Sequence, residues 1–320
     1  MPAPAATISL DNLREALAGL AGVAERTPLI PLDLGSASAP VRLKAEQLQP
    51  MGAFKIRGAW TALRRLPAAA RSTGVVTSSS GNHGLGIAFA ARRLGLRAVV
   101  VMPESAPAVK VNGVRELGAE VVLAGKVRGP EQAEVAQGYV DREGCTMIPP
   151  YDHPDVIAGQ GTIALEILEQ WPEVRTIIVP IGGGGLLAGI SSAIRATGAD
   201  VTVIAAEPAG IPKLSAAMLA GKPATLTGGS SLADGLLTPS VGDLTWPLIQ
   251  PTVRRVVSVS DDQIRIAVRW LAGHGLRVEP SGSVTTAAVL ADQSLINGPT
   301  VLVCTGGNVD ASRYLELTAE

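Results

Sequence analysis

The sequence predicts an α/β fold built on two open, twisted, largely parallel sheets, and three observations carry that reading. The chain has 320 residues, 47% of them hydrophobic, which is enough for two cores rather than one. Short β-branched runs alternate with alanine-rich helical stretches from Val41 onward, the pattern of parallel strands with helices on both faces. Glycine-rich turns fall unevenly along the chain, which fits open sheets better than a closed barrel.

The elements follow in order. Leu10, Leu13, Leu17 and Leu20 recur at helical spacing behind Ser9, an N-cap residue, and predict an amphipathic helix over 9–22 that Thr27-Pro28 ends. Strands are expected at Gly74–Ser78, Ala98–Met102, Val121–Leu123, Thr176–Pro180, Val201–Ala205, Arg254–Val259 and Thr300–Cys304. Helices are expected near 55–66, 82–95, 107–117, 131–143, 159–170, 185–197, 261–273 and 282–291.

Composition excludes several function classes. Net charge is −1 with 27 scattered basic residues, so the basic footprint that nucleic acid requires is missing. No apolar run approaches the roughly 20 residues needed to span a bilayer, and Asp11 and Glu15 interrupt the stretch where a secretion signal would need its apolar core. The two cysteines, Cys145 and Cys304, have neither disulfide nor metal spacing and read as buried thiols in a reducing cytosol. With only three histidines, His83, His153 and His274, a hydrolytic triad or a histidine-rich zinc site has little to build from. His274 reads as a helix cap. Lysines are six, Lys44, Lys55, Lys110, Lys126, Lys213 and Lys222, which shortens the list of lysine nucleophiles.

Four segments carry chemistry. Lys55 follows Phe54 at the start of a helix, after the turn Gln49-Pro50-Met51-Gly52; a lysine is ordinarily a solvated cation, but apolar flanks can desolvate it and make it an imine-forming amine. Ser78 to His83 close a strand and open a helix, leaving N–H groups to bind an anion such as a substrate carboxylate, or simply capping the helix. Four glycines, Gly182, Gly183, Gly184 and Gly185, stand between a strand and the helix starting at Leu186, where backbone can close on a phosphate. Their spacing is neither a dinucleotide fingerprint nor a P-loop. Thr305-Gly306-Gly307-Asn308 follows the last strand, at the sheet edge where ligands collect, though a tight turn explains it equally well.

Taken together, these segments resemble the fold-type II pyridoxal-phosphate enzymes, whose architecture is that of the tryptophan synthase β subunit, and within them the branch of serine racemases and threonine/serine dehydratases. Thr27-Pro28-Leu29, Lys44-Ala45-Glu46, Ile56-Arg57-Gly58-Ala59, Val156 through Leu165, Ala206-Glu207-Pro208, Ala233-Asp234-Gly235 and Val278-Glu279-Pro280-Ser281-Gly282 support the match in order over nearly the whole chain. The resemblance implies a large domain of residues 1–50 and 148–320 and a small domain of residues 51–147. It implies that Lys55 holds pyridoxal 5'-phosphate through an imine and later removes the Cα proton, with Phe54 beside the ring and Asn82 at the ring hydroxyl. Ser79, Ser80, Gly81, Asn82 and His83 would bind the substrate, and Gly182 to Gly185 with Leu186 the phosphate. Thr305 would set a hydroxyl against the pyridine nitrogen, which favours prompt loss of a β-substituent over a long-lived carbanion. The implied enzyme is a cytoplasmic lyase of the ammonia-lyase type, a homodimer without a C-terminal regulatory domain. It would convert L-threonine, L-serine or a related β-hydroxy amino acid to the 2-oxo acid and ammonia.

Departures from the branch keep alternatives open. Leu85 stands where glutamine is usual, and Met51 and Ala53 replace small polar residues, which suggests a less polar pocket and a bulkier substrate such as phenylserine; 3-hydroxyaspartate is a further candidate. Ser80 matches the serine that reprotonates Cα in racemases, so serine racemisation stays open. Racemases often bind a divalent cation through a glutamate and an aspartate six residues on; here Glu207 is followed by Lys213, and no metal is expected. A β-replacement synthase and a non-catalytic cofactor-binding protein are the remaining readings.

Overall fold

The computed structural model describes residues 7–35, 38–127 and 129–319. The first half of the chain runs α1 (Leu10–Gly19), β1 (Leu29–Leu32), β2 (Val41–Ala45), α2 (Lys55–Arg64), α3 (Ala68–Thr73), β3 (Val75–Ser78), α4 (Asn82–Leu94), β4 (Ala98–Met102), α5 (Ala108–Glu116), β5 (Glu120–Leu123), α6 (Pro130–Glu143) and β6 (Thr146–Met147). The second half runs α7 (Pro154–Gln170), β7 (Thr176–Pro180), α8 (Gly185–Thr197), β8 (Thr202–Pro208), α9 (Lys213–Ala220), α10 (Trp246–Ile249), β9 (Val253–Val259), α11 (Asp261–Gly273), α12 (Pro280–Ala291), β10 (Thr300–Cys304) and α13 (Ala311–Thr318).

Two sheets result. The larger has the strand order β1-β2-β10-β7-β8-β9 and the smaller β5-β4-β3-β6, so every strand of the smaller sheet falls between Val75 and Met147. Central strands β4, β7 and β10 are buried at every position, as parallel strands covered on both faces require. Edge strand β9 carries exposed Arg254 and Arg255, charges that discourage pairing with another chain. One departure from the parallel expectation is β1, which runs antiparallel to β2 with Leu29 opposite Lys44 and Leu32 opposite Val41. The connection between them is too short for a helical crossover.

Local chemistry sets the helix ends. Ser9 Oγ accepts from Asn12 N while Asn12 Oδ1 accepts from Ser9 N, a capping box that starts α1 at the predicted residue. Helix α7 begins five residues earlier than its periodicity indicates, because His153 Nδ1 accepts from Asp155 N and Pro154 occupies the first helical position. Helices α3, α9, α10 and α13 and strands β1, β2 and β6 were absent from the sequence expectations; most are too short to show a period. Both cysteines are buried free thiols, and His274 caps the end of α11, with Nδ1 2.8 Å from Trp270 O.

Glycines let four helices cross at backbone distance. A Cβ on Gly159 of α7 would lie 2.5 Å from Arg57 O and 2.6 Å from Gly58 Cα of α2, and one on Gly189 of α8 would lie 2.5 Å from Ile157 O and Gly161 N of α7. A Cβ on Gly86 of α4 would sit 3.1 Å from Lys55 O of α2. The crossing of α2 on α7 leaves no room for one methyl group, since both contacts are to backbone. Gly159→Ala is therefore expected to lower the unfolding free energy by about 3 kcal/mol, read as a shift in denaturant midpoint at unchanged slope. A wild-type midpoint would mean that α7 withdraws from α2 at no cost.

Candidate active site

Lys55 is the first residue of α2 and is placed by pairing between two distant segments. Phe54 N donates to Thr305 O at 3.1 Å, Gly307 N donates to Gly52 O at 2.9 Å, and Ala53 bridges Gly306. Gly52 makes this approach possible: its φ is 71°, and a Cβ there would strike the Asn308 amide. The lysine is half-buried, its ammonium 5.1 Å from the Phe54 ring centre and donating to Pro150 O at 2.5 Å.

A cavity of about 240 Å³ opens in front of Lys55, and every candidate residue from the sequence lines it: Phe54, Lys55, Ser79, Ser80, Gly81, Asn82, His83, Gly182, Gly183, Gly184, Gly185, Leu186 and Thr305. These come from the C-terminal ends of β3, β7 and β10 and the start of α2. Three helices, α2, α4 and α8, thus present their N-termini, and the positive ends of their dipoles, to one space.

The two anion loops differ in construction. In the first, Ser79 Oγ accepts from Gly81 N at 3.3 Å and Gly84 N at 3.1 Å, so its oxygen braces the loop while its proton remains available to a ligand. Asn82 Oδ1 accepts from Asn308 Nδ2 at 2.9 Å, and Asn82 Nδ2 donates to Glu279 Oε1 at 2.5 Å, which fixes the amide's orientation. In the second loop the absence of side chains is the point. A Cβ on Gly183 would enter the Tyr151 ring, one on Gly184 would come 2.7 Å from Thr245 Oγ1, and one on Gly185 would come 2.9 Å from Tyr151 Cα. No side chain caps α8, so its amides face the cavity, a cradle whose size and charge suit a phosphate. Thr305 Oγ1 is buried, and its one proton has only a long 3.4 Å bond to Ser281 O, which it can give up to donate to a heterocyclic nitrogen instead. A lysine amine, a phosphate cradle and this hydroxyl around one cavity fit pyridoxal phosphate.

Residues that sequence reasoning passed over complete the walls. Glu279, Ser281, Tyr151, Leu236 and Thr238 line the cavity, and Thr238 Oγ1 is buried without a hydrogen-bond partner near the position a Gly182 Cβ would take. Glu279 and Ser281 lie inside a segment the resemblance used, Val278 to Gly282, but nothing in their spacing assigned them a task. Burial raises the Glu279 carboxyl pKa, against the pull of Lys110.

Two expectations need correction. Leu85 packs with Val111, Val114 and Met102, and Met51 rests on the same cluster, so neither lines the cavity and neither makes it less polar. Buried lysines are also commoner than assumed: Lys44, Lys110 and Lys213 are fully buried, more so than Lys55. As for the glutamate of the racemase metal position, Glu207 accepts from Leu214 N, Ser215 N and Ser215 Oγ at 2.6–3.0 Å and so caps α9. Lys213 Nζ meanwhile lies 3.2 Å from the carbonyls of Ile181 and Ile211.

His83 is locked neutral. Its Nε2 lies 3.1 Å from Ile148 O, an acceptor, so Nε2 carries the proton; burial first, then Lys55, lowers its pKa from 6.5 to about 3. The folded value lies below the unfolded one, so the unfolded chain takes up a proton that the native state refuses. Stability present above pH 6.5 is lost as pH falls toward 3. His83→Gln is expected to flatten the acid limb of unfolding free energy against pH by several kcal/mol, measured by denaturant titrations across that window; an unchanged limb would show that His83 is protonated in the native protein.

Comparison with known proteins gives the family. Residues 20–306 match the family model described as pyridoxal-phosphate dependent enzyme. A catabolic L-threonine dehydratase of Escherichia coli is 38% identical, the match covering 97% of this chain and 96% of the relative. An L-threo-3-hydroxyaspartate ammonia-lyase of a Pseudomonas species is also 38% identical, covering 97% and 98%. The solved structure of maize serine racemase superposes with a TM-score of 0.92 at 36% identity, covering 98% of this chain and 97% of that one. With its lysine, glycine cradle and hydroxyl assembled at one cavity, the chain belongs to the fold-type II family of pyridoxal-phosphate-dependent enzymes.

Proposed function

We propose that this enzyme is a dehydratase, an ammonia-lyase that converts L-threonine or L-serine to the 2-oxo acid and ammonia. The observation that carries the reading is the Thr305 hydroxyl, buried in the wall of the cavity that the α8 cradle also lines, where a carboxylate would be needed to keep a pyridine ring protonated. The nearby carboxylates are otherwise committed: Asp234 to Lys110 at 2.8 Å and Glu279 to Asn82 at 2.5 Å. When bound, pyridoxal phosphate supplies a carbonyl for an imine with Lys55 and an electron sink for the Cα–H bond pair. Lys55 would take the Cα proton, and Phe54, on the cavity wall beside it, would hold the ring. Asn82, oriented by Asn308 and Glu279, would hold the cofactor at its ring hydroxyl. Gly182 to Leu186 hold the phosphate, while Ser79, Ser80 and the Gly81–His83 amides bind the substrate carboxylate. We take residues 51–147 as the smaller domain and residues 1–50 and 148–320 as the larger, in a cytosolic homodimer.

A second reading, serine racemisation beside elimination, rests on Ser80, whose side chain lies on the cavity wall. Incubation with L-serine, D-serine, L-threonine, 3-hydroxyaspartate and phenylserine, with oxo acid and enantiomer both measured, separates the readings. Oxo acid from L-threonine and L-serine is expected, and none from Lys55→Ala. No release of oxo acid or ammonia from any of these amino acids would overturn the assignment. Ser80→Ala is expected to abolish any racemisation and leave elimination measurable, whereas unchanged racemisation would remove that role from Ser80.

A further inference from the structure

Lys110 takes no part in the chemistry above, yet its charge sits behind the carboxylate-binding loop. It belongs to α5, its side chain is 2% exposed, and its Nζ lies 2.8 Å from Asp234 Oδ2 and 3.2 Å from Glu279 Oε2. Both acids come from segments outside the smaller sheet, and Glu279 lines the cavity. On its other side the same side chain underlies Gly81: a Cβ there would be 3.3 Å from Lys110 Cδ and 3.5 Å from Nζ. Gly81 is the N-cap of α4 and stands between Ser80 and Asn82. The ammonium therefore packs beneath the loop that meets an anion while neutralising two carboxylates that would repel one.

We propose that Lys110 is a positioning residue for the substrate α-carboxylate, packing beneath Gly81 and neutralising the charge of Asp234 and Glu279 beside the bound anion. This rests on the reading of the loop as a carboxylate site. Without the ammonium, the charges of Asp234 and Glu279 stand uncompensated beside an incoming carboxylate, and Gly81 loses the side chain packed beneath it. A ligand without a carboxylate does not feel that field.

That difference makes the test. L-Alanine and L-alaninamide both carry the reactive amine and lack a leaving group, so each is titrated into the holoenzyme and followed by the visible absorbance of the cofactor. In Lys110→Met, L-alanine is expected to bind roughly tenfold or more weakly, L-alaninamide is expected to change by less than about twofold, and Lys110→Arg is expected to restore most of the L-alanine affinity. Lys110→Gln, which keeps a donor but no charge, is read the same way should the methionine variant not accumulate. Equal weakening of both ligands would reduce Lys110 to a structural tie, and unchanged L-alanine binding would remove it from carboxylate recognition. A wild-type protein whose absorbance answers to neither ligand would overturn the functional reading itself.

Discussion

The site depends on one packing constraint: α4, α2, α7 and α8 cross so closely that their backbones touch through glycine. Gly86 admits the Lys55 carbonyl, Gly159 admits Arg57 and Gly58, and Gly161 and Gly189 admit one another's backbone. Three of these helices begin at the cavity, with Lys55, the Ser79–His83 loop and the Gly182–Gly185 loop at their first turns. A rigid stack of helices with glycine at each crossing fixes the distances among those three N-termini more tightly than loops could. Loops only connect what the crossings have already placed, as expected of sites carried on rigid elements.

A buried charge cluster sets the rotation of α2 within that stack. Arg57, two residues beyond Lys55, binds both oxygens of Glu46 at 2.8 Å and both of Glu166 at 2.6 and 2.9 Å, with Thr162 and the Glu25 carbonyl taking further donors. Lys44 completes it, 2.6 Å from Glu166 and 2.7 Å from Thr27 O. Two cations and two anions, all essentially without exposure, cancel in charge. Such a cluster adds little net stability over well-packed hydrocarbon, because desolvation offsets the attraction. Its value lies in direction: a guanidinium with bidentate partners on two elements tolerates one orientation of its helix. The partners are β2 with the turn after it on one side and α7 on the other, so Lys55 is indexed to both neighbours of its own helix.

Much of this was legible in the sequence because the functional groups are largely backbone amides, and loops that offer amides must be made of glycine, serine and asparagine. The segments Ser78–His83, Gly182–Gly185 and Thr305–Asn308 announce themselves for that reason, and all three meet at the cavity. What did not show was pairing between side chains far apart in the chain. Lys110 with Asp234 and Glu279 spans more than a hundred residues, and neither period nor spacing marks it. Leu85 misled for a related reason. Its position in α4 is one turn from the carboxylate loop, but a helix turns side chains through 100° per residue, and that face meets Val111 and Gly113 of α5 rather than substrate. Strands β1 and β2 escaped because an edge hairpin of mixed polarity, interrupted by Pro31, lacks the unbroken apolar run that marked the central strands.

The lysines show why burial alone cannot pick a nucleophile. Lys213 is more deeply buried than Lys55, hydrogen-bonds neutral carbonyls, and has a pKa lowered by burial to about 8, with Glu207 pulling the other way. By those criteria it would be the better amine. It is the wrong one by position, since it does not line the cavity; its ammonium holds the Ile181 carbonyl, immediately before the glycine cradle, from behind. Lys44 and Lys110 are each neutralised by carboxylates. Lys55, half-buried, has its amine at the cavity and a neighbouring carbonyl as acceptor. Geometry decides first, and pKa can only refine the choice among groups that geometry allows. The other buried lysines then have a shared task, holding in place the walls that Lys55 works within.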